Sequence, residues 1–245
     1  MRQLVRLFTG RAPHAVQQDV QVASNLFLAS MTQYDADFMD VHVMFGMEYP
    51  TNTLGEWLSK QGLRQFRIAE TEKYAHITYF FNGGREEPFE GEERLVVPSY
   101  GLTSYASRPE MSLPEVSMSW RRVLERAEHE FIVCNIANGD MVGHSGDFDA
   151  CTKAVTEVDK ALSEIVPCAR DAGYVVLITA DHGNIEHMKE KDEPHTAHTF
   201  NDVPFIVVGQ QQPLQQYGCL YQIAPTILKI LGVRKPPEMT GTSLV

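Results

Sequence analysis

The chain has 245 residues, with 21 Lys and Arg against 32 Asp and Glu, a formal net charge of −11. Phosphate backbones are gripped by clustered cations, so this balance argues against nucleic acid as the main partner. For the same reason an anionic substrate would need a local metal or basic pocket. At 43% hydrophobic and 22% charged residues the composition is that of a globular chain able to bury a sizeable core. No apolar run approaches the ~18–20 residues of a membrane span, so no membrane partner is expected.

The start, MRQLVRLFTGRAPHAV, lacks the apolar core of a signal peptide. The four cysteines, Cys134, Cys151, Cys168 and Cys219, are widely spaced without a CxxC pair. They read as free thiols in a reducing compartment, which makes the expected location cytoplasmic.

In chain order, residues 1 to about 47 read as the tail of a preceding structure. They hold a helix from Gln17 to Met31 and a strand from Asp40 to Met47, and turn chemistry around Pro50 and Asn52 places a boundary nearby. LGEWLSKQG is a short helix closed by Gly62, and FRIAET a strand. HITYFFNGG, His76 to Gly84, is rich in β-branched and aromatic residues and predicts a strand ended by the Gly pair. The Glu-rich REEPFEGEERLVVPS reads as a solvated excursion. Ser117 to Glu130 is an amphipathic helix. FIVCNIA is a buried parallel strand. Asp149 to Val166 is a helix that Pro167 should kink or end, and Gly173 closes the segment after the proline. YVVLITA and VPFIVVG are two more buried strands, and IAPTILKILGV is a closing helix with Pro225 early and Gly232 after it. Alternation of parallel-type strands with helices predicts an α/β sandwich with right-handed crossovers.

Ligands of such sheets bind beyond the carboxyl ends of the strands, and two acidic-histidine clusters fall there. NGDMVGHSG comes after FIVCNIA and supplies Asp140 and His144, four residues apart. TADHGNIEHMKEKDEPHTAH comes after YVVLIT and supplies Asp181, His182 and, further on, His198. Asp181 and His182 can share an ion only if the backbone turns sharply, for which Gly183 offers freedom. Carboxylate and imidazole without thiolate suit Mn²⁺, Zn²⁺, Co²⁺ or Fe²⁺ better than Mg²⁺. His187 and His195 read as exposed loop residues. His14, His42, His76 and His129 read as structural. Lys73 and Arg85 are solvated by default, although beside two metals Lys73 could neutralise a phosphate.

IAETEKYAHITYFFNGG, ANGDMVGHSG, ITADHGNIEHM, HTAHT and APTILKILGV, in that order, closely resemble the cofactor-independent (2,3-bisphosphoglycerate-independent) phosphoglycerate mutases of the alkaline phosphatase-like superfamily. The resemblance implies a three-layer α/β/α sandwich of the alkaline phosphatase-like type with its N-terminal strand missing. It implies a monomeric parent enzyme that interconverts 3-phosphoglycerate and 2-phosphoglycerate in glycolysis and gluconeogenesis. That enzyme uses a transiently phosphorylated serine and two divalent ions, Mn²⁺ foremost with Mg²⁺, Co²⁺ or Zn²⁺ as alternatives, and no 2,3-bisphosphoglycerate. By motif, Asp140, His144 and His198 match ligands of one metal, Asp181 and His182 ligands of the other, and Lys73 the catalytic, substrate-binding lysine. Residues 1–47 match the trailing part of the transferase domain, and 48–245 an incomplete phosphatase-like domain. No nucleophile is expected in this chain, because the family's serine precedes its transferase domain and Ser145 is no substitute for it, so the chain alone is expected to be inactive. Two other readings stand beside this one: a different metal-dependent phosphohydrolase or phosphomutase of the superfamily, and a non-catalytic metal-binding fragment.

Overall fold

The computed structural model describes residues 2–10, 25–33, 37–46 and 48–245, which fall into two units, Met1–Pro50 and Thr51–Val245. In the first, α1 (Arg2–Phe8) precedes a parallel pair, β1 (Ala29–Thr32) and β2 (His42–Phe45), in register Ala29↔His42. The expected helix to Met31 is corrected at its end, since residues 29–31 are strand; residues 17–24 lie outside the described residues. Main-chain pairing with β2 overrides the local helical preference there, and Phe27 stacks on His42 beside it with ring centroids 4.6 Å apart.

The second unit opens with α2 (Leu54–Lys60), whose Thr53 hydroxyl caps the Glu56 N–H. Gly62 ends it in the left-handed region (φ 72°), with Leu63 N–H returning to Leu58 O at 3.0 Å. Then β3 (Gln65–Glu70) runs through the centre of a parallel sheet, flanked by β4 (Glu92–Val97) and β5 (Phe131–Cys134). All six β3 residues are buried, charged ones included. Phe66 and Ile68 point to an apolar layer with Val97, Val116 and Val123. Gln65 and Arg67 point the other way, into polar contacts that replace water. Gln65 Nε2 donates to Gly55 O at 2.8 Å, and Arg67 donates to Ile77 O at 3.1 Å and to Gln65 Oε1 at 2.5 Å. The Arg67 guanidinium also lies 4.2 Å over the Phe81 ring.

Two expectations fail around this strand. The segment His76–Phe80 is helical, of the wide π type, and comes after a 3₁₀ turn at Thr71–Lys73. Lys73, Ile77 and Phe81 recur at helical spacing, which puts Ile77 inside and Phe81 on Arg67. That period outweighs the β-branched composition, and the glycine pair, at φ 69° and 93°, caps a helix rather than stopping a strand. The Glu-rich stretch is not all excursion either, because its second half is β4. Glu92 is buried there, since Arg94 (2.6 Å), Asn82 (2.9 Å) and the Phe89 N–H (3.1 Å) all donate to it.

Next, α3 (Leu113–Arg126) begins one turn before the expected start and carries Pro114 in its first turn. It stops at Ala127, held left-handed at φ 48°. Such a conformation crowds a Cβ and suits glycine. Ala127→Gly is therefore expected to raise stability by about 0.5–1 kcal/mol, read as a higher midpoint in urea unfolding; a lower midpoint would show that loss of the alanine side chain dominates. A short helix α4 (Asn138–Gly143) comes after β5, and α5 (Phe148–Asp171) runs straight through Pro167. The proline removes one main-chain bond, but Ile165 and Ala169 on either side are buried against Leu113, Leu124 and Val176, and that packing holds the helix on. Gly173, at φ 86°, comes after its end.

The strands β6 (Val176–Ile178) and β9 (Ile206–Val208) pair antiparallel, Val176↔Val208, not parallel as expected. Apolar runs carry no direction, so the sequence could not tell the two apart. Strands β5 and β6 are not paired with each other, yet both pack on the α3–α5 layer through Ile132 and Val176. On the opposite face Leu54 and Leu58 of α2 meet Leu228 of α6 (Ile223–Ile230) and Phe131. Helices thus cover both faces, as the three-layer reading requires. Among the described residues no helix is long and apolar enough to cross a membrane, and the four cysteines are free.

Candidate metal centre

Each strand end delivers its cluster by a short route. Asp140 lies in the first turn of α4 and His144 caps its end, so the pair shares one helix face, with His144 Nε2 3.0 Å from Asp140 Oδ1. Beyond β6 the chain turns at Asp181–Asn184, runs out along a two-residue hairpin, β7 (Lys189–Glu190) and β8 (Glu193–Pro194), and returns as residues 195–199. The return stroke puts His198 Nε2 3.0 Å from the same Asp140 oxygen and 3.2 Å from His144 Nε2. The His182 ring stacks on His198 with centroids 3.6 Å apart. Asp140, His182 and His198 each offer a ligand atom within 4.8 Å of the others. Asp181 stays outside that group, its side chain 61% exposed and 3.5 Å from His182 Nε2.

Lys73 comes from the turn after β3 and hydrogen-bonds Asp140 Oδ2. It is buried, as is Asn184, which donates to Asp140 Oδ1 at 2.8 Å. Burial alone would raise the Asp140 carboxyl, but the bonds from Lys73 and Asn184 outweigh it and hold the group at about 2. The carboxylate is therefore ionised at any working pH. His76, left as structural by the sequence, lies one helical turn past Lys73. Its imidazole is pushed down, first by partial desolvation and then by the Lys73 charge, while Asp181 and Asp140 pull the other way.

Two histidines have their tautomers set by main chain. His144 Nδ1 donates to Thr196 O at 2.6 Å, and His182 Nδ1 to Gly183 O at 3.2 Å. Each then turns its Nε2 into the cluster as the atom that could ligate a metal, and His144 Nε2 lies there 3.0 Å from Asp140 Oδ1.

The scaffold under these ligands was not visible in the sequence. Glu186 accepts from Thr199 Oγ1, from Asn201 Nδ2 at 2.9 Å and from the Asn184 N–H at 2.6 Å. Desolvation opposes its charge, yet the Thr199 and Asn201 bonds hold its carboxyl at about 2. It ties the outgoing loop to the returning one, as does the Thr199 N–H to Gly183 O bond at 2.9 Å. Gly183 serves differently from expectation. A Cβ there would overlap both Glu186 Oε1 and Thr199 Oγ1, so close approach, not a positive φ, excludes side chains. Gly143 has the same role, since a Cβ there would overlap Asn184 Oδ1.

Arg85 is not brought in, because it donates to Glu87 O at 3.0 Å and lies over Phe89. The Ser145 hydroxyl is committed to main chain, donating to Val142 O at 2.6 Å and accepting from the Asp147 N–H at 3.1 Å. His187 and His195, expected as exposed loop residues, are half-buried and meet each other, forming a second group with Glu190. His14 lies outside the described residues.

Comparison with known proteins agrees with this layout. The family model described as Metalloenzyme superfamily matches residues 21–235. A protein of Acetivibrio thermocellus named 2,3-bisphosphoglycerate-independent phosphoglycerate mutase is 49% identical over 90% of this chain and 43% of its own length. One of the same name from Ectopseudomonas mendocina is 44% identical over 100% of this chain and 48% of its own. The crystal structure of Leishmania mexicana phosphoglycerate mutase at low cobalt concentration superposes with a TM-score of 0.80 at 26% identity, covering 98% of this chain and 47% of that one. The chain thus spans less than half the length of the relatives it matches. A match over residues 21–235, on a fold that gathers carboxylate and imidazoles at its strand ends, places the chain in the Metalloenzyme superfamily.

Proposed function

We propose that this chain supplies the metal-binding part of a cofactor-independent phosphoglycerate mutase, acting on 3-phosphoglycerate and 2-phosphoglycerate with a serine nucleophile from outside these 245 residues. In this reading residues 1–47 belong to the end of a transferase domain and 48–245 to a phosphatase-like domain. The observation that carries it is the Asp140 cluster, in which one ionised carboxylate, three imidazoles and an ammonium converge. Relatives bearing that enzyme name match almost the whole chain.

The donors fit two divalent cations of the manganese type. By motif Asp140, His144 and His198 would hold one and Asp181 with His182 the other, while the geometry sets His182 beside Asp140 and His198. Imidazole donors and the absence of thiolates from the cluster suit such ions better than calcium. When bound, the ions lower the pKa of a nucleophilic hydroxyl and neutralise phosphoryl oxygens. The chain's own residues do the positioning. Thr196 O and Gly183 O orient the two imidazoles. Asn184 and Lys73 fix the Asp140 carboxylate. Lys73, buried beside the Asp140 carboxylate, would supply positive charge to the phosphoryl group of an anionic substrate, which a chain of net charge −11 would otherwise repel.

Mn²⁺ at a hundred times its Kd is expected to stabilise the chain by about 2.7 kcal/mol, a rise in Tm of about 5–10 °C. No shift with Mn²⁺, Co²⁺ or Zn²⁺ would overturn the metal assignment. Mutase turnover by the purified chain is expected to equal that of its Asp140→Asn variant. Turnover well above that control would place the nucleophile inside this sequence.

A further inference from the structure

The β7–β8 hairpin is built against local preference. Its strands are two residues long and every strand residue is exposed, so no apolar burial holds them together. Hairpins of that kind are marginal in water. The turn holds both Lys191 (φ 50°) and Asp192 (φ 66°) in the left-handed region, where each Cβ costs roughly 1 kcal/mol or more and Asn-Gly is the favoured pair.

What the hairpin does have lies at its base. His187 precedes β7 and His195 comes after β8, and the His195 N–H bonds Met188 O at 2.9 Å. Their rings meet edge to face, with centroids 4.7 Å apart at 83°. Glu190 joins them, so that one ligand atom from each of the three lies within 4.8 Å of the others. His195 Nδ1 is buried with no hydrogen-bond partner, a state that costs a polar atom about 1–3 kcal/mol.

We propose that His187, Glu190 and His195 form a further divalent-cation site, of the zinc type, that clips the hairpin shut. Two imidazoles and a carboxylate make a three-ligand set that zinc completes with water. Tetrahedral ligands about 2.05 Å from zinc stand about 3.3 Å apart, so ligand atoms that lie within 4.8 Å of one another need close by no more than about 1.5 Å, and Glu190 is exposed and can change rotamer to help. The site shares no residue with Asp140, His182 and His198, and stands whatever that centre binds. It bears on that centre through the chain, because His195 leads directly to Thr196, which orients His144 at 2.6 Å, and to His198, 3.0 Å from Asp140. Fixing His195 therefore holds the return stroke in place.

The test uses the 245-residue chain, zinc alone as the probe, and trypsin, which cuts after Lys189 and Lys191 in the hairpin. At ten times its Kd zinc is expected to slow these cuts about tenfold and to shift the His187 and His195 ring-nitrogen resonances. The double variant His187→Ala/His195→Ala is expected to bind one zinc fewer and lose the protection. Should that variant misfold, the near-isosteric Glu190→Gln is expected to weaken zinc binding at this site tenfold or more. Equal zinc stoichiometry and protection in wild type and variants would overturn the proposal. So would zinc that moves only the His144, His182 and His198 resonances.

Discussion

Asp140→Asn is expected to cost the metal-free chain about 3 kcal/mol and to abolish the stabilisation that Mn²⁺ confers. The two effects have different origins and can be separated. The Lys73 side chain is 9% exposed and Asp140 16%. Removing the carboxylate strands a desolvated ammonium, and the new amide turns donors toward Asn184 and the imidazoles, which already donate there. Taking the ammonium away as well, in Asp140→Asn/Lys73→Met, should restore most of the lost stability and none of the metal binding. Lys73→Met alone leaves Asp140 with Asn184 and two imidazoles, so it should cost less, about 1–2 kcal/mol. It should also tighten Mn²⁺ binding, because Oδ2 no longer serves the lysine. The acid limb gives a further check. The Asp140 carboxyl is burdened by burial but held at about 2 by Lys73 and Asn184, against an ordinary 3.8. Its contribution is thus complete above about pH 4 and lost as pH falls toward 2. Urea unfolding and calorimetric Mn²⁺ titration of the three variants decide the matter. An Asp140→Asn chain as stable as wild type, or binding Mn²⁺ as well, sinks the account.

How much could be read from the sequence depends on the range of each interaction. Asp140 and His144 were legible because four residues at a strand end form one helical turn, and His144 Nε2 does lie 3.0 Å from Asp140. Lys73 stood out only through family motifs, since nothing local says that a lysine 67 residues away in sequence will reach Asp140. Asn184, Glu186, Thr199 and Asn201 were missed because amides and hydroxyls in loops look like ordinary turn chemistry. The close-approach glycines Gly143 and Gly183 were the signal that could have flagged them. The same logic explains the fold. Helices with a clean period, such as Phe148–Asp171, came through, apart from the weight given to Pro167. Glu92–Val97 was lost because a run of charges reads as solvated, whereas Arg94 and Asn82 hold Glu92 and the more distant Arg64 and His129 meet Glu93.

Arg67→Ala is expected to cost about 4 kcal/mol, and Arg67→Met about 2. Arg67 is wholly buried in the central strand, and no sequence rule placed a guanidinium there. Desolvation pushes the group well down from the usual guanidinium range, to about 10, even though Glu92 pulls it back up. At 1.36 kcal/mol per pKa unit that is a penalty of roughly 3 kcal/mol. Set against it are charge-assisted bonds to Gln65 Oε1 and Ile77 O, worth about 1.5–3 kcal/mol each. Contact with the Phe81 ring at 4.2 Å adds about 1–2 kcal/mol in a dry site. The bonds outweigh the penalty, so removal destabilises, and it leaves the Gln65 and Ile77 oxygens without this donor. Glu92 is not stranded, because Arg94 and Asn82 still hold it at 2.6 and 2.9 Å. That is why the methionine loss stays below that of breaking a lone buried pair. Methionine refills the volume and alanine does not, so the difference between the two variants reports packing, and the methionine loss reports the polar contacts. Urea midpoints at constant slope measure both. Arg67→Met as stable as wild type would mean that desolvation cancels the bonds, and that the guanidinium contributes register to the sheet rather than stability.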